Sequence, residues 1–106
     1  MFKIVVFVPE PALEVVKAAL FAAGAGKIGA YDQCCWQTPG VGQFRPLEGS
    51  DPSIGSHGVV EKVAEFRVEL VCDDAILERA ISAMVAAHPY EEPAYDVWRV
   101  NDWQGR

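Results

Sequence analysis

The sequence predicts an α+β sandwich of the ferredoxin-like type (βαβ-hairpin-βαβ), with two helices covering one face of an antiparallel sheet. Two observations carry this. Apolar residues change between strand and helix periodicity in the order strand, helix, strand, inserted hairpin and loop, strand, helix, strand. Glycine or proline clusters mark most of the junctions. A chain of 106 residues fits one domain, spanning 1–106, and buries enough surface for a core without staples.

Phe2 to Val8 is β-branched and aromatic, and apolar on both faces apart from Lys3, as a buried strand requires. Pro9 and Pro11 end it. A helix follows from about Pro11 to Ala23, because proline suits a first turn and Glu10 and Glu14 suit its positive end. Leu13, Val16, Leu20 and Ala23 form its apolar stripe, and Gly24 and Gly26 stop it. Ile28 to Gln37 reads as a second strand. Gly40 and Gly42 then turn the chain, Gln43 to Leu47 returns as a short arm, and Glu48 to Gly58 is an irregular loop. Glu65 to Cys72 alternates cleanly, with Phe66, Val68, Leu70 and Cys72 on one side. Asp73 or Asp74 is the expected cap of a second helix, whose stripe is Leu77, Ile81, Met84 and His88. Pro89 and Pro93 end it, and Ala94 to Val100 is the last strand. The helix-free side of the sheet needs cover. Tyr31, Val71, Trp98 and Trp103 are the candidates to line it, and a partner subunit is the expected lid.

Charge and cysteine usage narrow the function. Fifteen acidic and nine basic residues give a net charge of −6, with no basic run, which argues against a nucleic-acid module. No segment is apolar for the ~20 residues of a membrane span, and the N-terminal apolar run meets Pro9 with no cleavage site after it, so no membrane partner and no export are expected. Cys34 and Cys35 are adjacent and Cys72 is remote, so there is no C-x-x-C pair. Reduced thiols in a cytoplasmic protein are the simplest reading.

Three motifs carry chemistry. Gly24-Ala-Gly26-Lys-Ile-Gly29 matches the dinucleotide pattern G-x-G-x-x-G, but it follows a helix instead of opening one. A phosphate there would meet the negative end of the dipole, so a structural turn is favoured over an anion nest. His88-Pro-Tyr-Glu-Glu-Pro93 is the densest polar cluster. With His57 from the loop and a carboxylate such as Glu65 or Glu92, His88 would complete a zinc or copper site, within one chain or between subunits. The plainer alternatives are a helix-terminal His88 and a solvated His57. Cys34, Cys35, Glu91 and Glu92 have the chemistry of nucleophiles or acids and bases, but no catalytic signature surrounds them.

Five blocks occur in order: Gly26 to Cys34, Gly40 to Pro46, Pro52 to Gly55, Glu61 to Glu65, and His88 to Tyr95. Together they resemble the YqfO-type proteins, the Nif-three-like or dinuclear-metal GTP cyclohydrolase-like family, and more narrowly the domain inserted in its longer bacterial members. The His-Pro-Tyr-Glu stretch is also similar to that of the CutA proteins. The resemblance implies a PII/CutA-like fold and an oligomer, with trimers as the precedent. It places the metals of the family on His, Asp and Glu of flanking lobes outside these blocks. With two His, this chain is not expected to supply that centre, and a stand-alone domain without the hydrolase activity is expected.

The leading expectation is therefore a non-enzymatic, regulatory or binding homo-oligomer. It would take a small ligand or a divalent metal at a cleft between subunits. Gly26, Gly29, Tyr31, Glu65, Tyr90 and Glu91 are the candidate ligand-binding residues, and His57, His88 and Glu92 the candidate metal ligands. The alternatives are a small metal-assisted hydrolase, in which zinc would activate water, and a pure protein-interaction module.

Overall fold

The computed structural model describes residues 1–101. Four strands and two helices follow one another as β1 (Phe2–Pro9), a 3-10 turn (Glu10–Ala12), α1 (Leu13–Ala22), β2 (Trp36–Phe44), β3 (Glu61–Cys72), α2 (Leu77–Ala87) and β4 (Tyr95–Arg99). The sheet order is β2-β3-β1-β4, with every neighbouring pair antiparallel. This is the α+β sandwich the periodicity predicts.

Alternation along the strands builds the core. Ile4, Val6 and Val8 of β1 and Val68, Leu70 and Cys72 of β3 point to the helices, where they meet Leu13, Val16 and Leu20 of α1 and Ala80 and Met84 of α2. Fully burying each larger aliphatic side chain stabilises the fold by about 2 kcal/mol. The predicted α1 stripe is buried in full, Ala23 included. In α2, Met84 and His88 are buried, whereas Leu77 and Ile81 sit half-buried at the core margin.

Three expectations change. The second strand begins at Trp36, not Ile28. Residues 28–31 form a tight two-way backbone turn, and Gln33 takes a left-handed conformation that no strand accommodates. Gly40 and Gly42 do not turn the chain; they lie inside β2, opposite Glu65 and Val63. An edge strand tolerates Pro39 and small residues that a central strand would not. Asp73 and Asp74 do not cap α2 through their side chains. Asp74 instead accepts from the Met1 ammonium (2.6 Å) and from Arg99 (2.9 Å), and these donors hold its carboxyl below the usual range.

β1 pairs with β3 only from Glu65 to Cys72, so among the described residues β2 is the one strand paired with residues 61–64 of β3. The sheet therefore narrows at Glu65 from a four-stranded body to a two-stranded ribbon. The chain is elongated, at 48 × 24 × 22 Å. On the helix-free face, strand register puts Val71, Lys3 and Trp98 in one row and Trp36, Glu69, Val5 and Asp96 in the next. Trp36 is 60% exposed and Trp98 42%. Tyr31 lies off the sheet, and Trp103 lies outside the described residues.

Candidate functional site

The site forms where the sheet narrows. Beyond Pro9 there is no β1 to cover β3, and the segment after α2 fills the gap. His88 anchors it. Its ring is 6% exposed; Nε2 donates to the Phe7 carbonyl at 2.8 Å, and Nδ1 accepts from the Tyr90 N–H at 3.1 Å. Those two bonds fix one neutral tautomer, because an imidazolium has no acceptor nitrogen. They also occupy both nitrogens that a metal would need.

Tyr90 then turns over the sheet. Its hydroxyl donates to Glu65 Oε2 at 2.9 Å, and its ring packs against His88 (4.9 Å between centroids) and edge-on against Phe44 (5.8 Å). The Glu65 side chain crosses β2 at Gly42: a Cβ there would overlap the Glu65 carboxylate. Gly42 is thus the space in which the carboxylate lies. Burial first, and then the hydrogen bond and charge of Glu65, push the Tyr90 phenol well above its ordinary value. A tyrosine raised by folding contributes stability that is complete below the unfolded value and is lost as pH rises through the folded one. Tyr90→Phe should therefore flatten the alkaline loss of stability above about pH 10, as followed by urea denaturation across pH. An unchanged profile would detach Tyr90 from that loss.

The next residue ties in the long loop. Glu91 Oε2 accepts from the Asp51 N–H at 2.7 Å, across 40 positions of sequence. His57 Nε2 bonds the Ser50 carbonyl at 2.8 Å and braces the loop from within. Between loop and motif lies a cleft of about 390 Å³. Phe44, Leu47, Pro52 and Ile54 give it apolar walls; Arg45, Glu65, Tyr90, Glu91 and Glu92 supply polar groups.

Of the predicted ligand-binding residues, the structure brings Glu65, Tyr90 and Glu91 to this cleft, together with Glu92 from the predicted metal set. It does not bring Gly26, Gly29 or Tyr31. Gly26 is buried, bonded to Val71 and Cys34, while Gly29 and Tyr31 (76% exposed) are at the separate turn after α1. Nor do His57, His88 and Glu92 assemble within one chain. Among the described residues no group of three His, Cys, Asp or Glu is close enough to hold a metal. Phe44, Arg45 and Gly42 were not predicted. The run Gly-Gln-Phe-Arg-Pro marks the place, but its meaning depends on a tyrosine far along the chain.

No protein-family model matches the chain. A curated GTP cyclohydrolase 1 type 2 homolog of Mycobacterium tuberculosis is 51% identical over 96 residues, covering 91% of this chain and 25% of the relative. A crystal structure of a Bacillus cereus protein related to NIF3 superposes with a TM-score of 0.82 at 44% identity, over 95% of this chain and 26% of that one. The CutA protein of Xylella fastidiosa superposes with a TM-score of 0.68 at 21% identity, over 95% of this chain and 84% of that one. The chain thus spans about a quarter of the length of the curated relatives it matches and 84% of that CutA chain, whose fold it shares.

Proposed function

We propose that this chain, which belongs to the GTP cyclohydrolase 1 type 2 homologs through the quarter of those proteins that it spans, is a cytoplasmic, non-enzymatic binding module. It takes a small molecule in the cleft between the 45–54 loop and residues 90–94, and it acts as a homo-oligomer, with a trimer favoured. The cleft itself is the observation that carries this reading. Its volume of about 390 Å³ lies within the usual range for small-molecule sites, and few polar groups converge on apolar walls. The chemistry of Tyr90 supports binding over catalysis, since a phenol whose proton is held by Glu65 is a poor general base or nucleophile at neutral pH. The exposed Trp36 and Trp98 support assembly, because copies of the chain would bury them.

One experiment joins the two parts. Sedimentation velocity at micromolar concentration should give a trimer, and small apolar fragments should shift the amide resonances of residues 43–54 and 90–94. A monomer whose fragments bind elsewhere overturns the reading.

A further inference from the structure

We infer that the occupant of the cleft is an organic cation with an apolar body, a protonated amine or quaternary ammonium of about the size of a phenylalkylamine. The inference rests on the reading of the cleft as a small-molecule site and gives that molecule its chemistry.

Charge sets the sign. Among the described residues, three carboxylates line the cleft, Glu65, Glu91 and Glu92, against the single guanidinium of Arg45. An anion would meet an excess of negative charge there. The carboxylates also have unused capacity. Glu65 and Glu91 each accept one hydrogen bond on Oε2, from Tyr90 and from the Asp51 N–H. Among the described residues neither Oε1 has a protein donor, and Glu92 has no hydrogen-bond or ion-pair partner. An ammonium brings the donors that these oxygens lack.

The walls set the rest of the molecule. Phe44 and Tyr90 stand edge-to-face in the lining, and their rings attract a cation as well as an apolar body. Leu47, Pro52 and Ile54 offer further apolar surface that a small hydrated metal ion would leave unused.

Three probes with one apolar body and different heads test this on the full chain at pH 7: 3-phenylpropylamine, 3-phenylpropanol and 3-phenylpropanoate. Amide shifts of residues 43–54 and 90–94 report the site. The amine should bind about tenfold more tightly than the carboxylate, with the alcohol between them. Glu92→Gln, at an exposed position, should narrow the amine-to-carboxylate ratio about threefold. If the three probes bind equally, if the carboxylate binds best, or if Glu92→Gln leaves the ratio unchanged, the cation assignment falls while the cleft stands as a binding site. If no probe moves a cleft amide, both fall.

Discussion

Gly26→Ala is expected to cost about 3 kcal/mol and to lower the melting temperature by about 15 °C. Gly26 has φ +80°, and a Cβ on it would stand 2.8 Å from the Cys34 carbonyl oxygen and 2.9 Å from the Phe21 ring. The first contact is backbone, so no rotamer relieves it. Shifting the backbone would break the bonds that Gly26 makes on both sides, from its N–H to the Val71 carbonyl and from the Cys34 N–H to its own carbonyl, each 2.8 Å. Gly29→Ala is the control. Its φ of +56° is also left-handed, but an added Cβ meets nothing within 4 Å, so only the conformational cost of about 1 kcal/mol remains. Thermal denaturation at matched protein concentration compares the two. Equal losses would mean that the turn after α1 gives way freely, and that the close approach at Gly26 has little weight.

His88→Ala should destabilise the fold by about 3 kcal/mol. Removing a buried ring leaves a cavity, and the Phe7 carbonyl and Tyr90 N–H lose their partners together. Urea denaturation with and without a chelator separates this from a ligand role. The loss should be the same in both, and zinc should not stabilise the wild-type chain through this residue. A stabilisation by zinc that vanishes in His88→Ala would restore His88 as a ligand.

Most of the body of the fold is legible from residue patterns. Val68, Leu70 and Cys72 and the stripe from Leu13 to Ala23 are core because local periodicity decides them. β2 is not legible in that way. Gly40, Gly42 and Pro39 are turn residues by local preference, and they become strand residues only because β3 lies alongside, with Glu65 needing the room at Gly42. The site divides on the same ground. Tyr90 and Glu91 belong to a dense polar motif and stand out, as does the alternation that places Glu65. Their partners are 25 and 40 positions away, and no spacing rule joins Glu65 to Tyr90 or Asp51 to Glu91. His88 shows the converse. Its helix-end reading is the plainer one from the sequence, and the two hydrogen-bond partners of its ring favour it further over the metal reading.

The branch of the sheet at Glu65 has one more consequence. Hydrogen bonds beyond it join only two strands, and an isolated pair of strands is marginal in water. The arm is therefore expected to fray before the body opens. Residues 88–94 are the splint across that boundary. They are fastened to the body at Phe7 and to the arm at its base through Glu65 and at its far end through Phe44, so whatever tightens their hold stiffens the arm along its length.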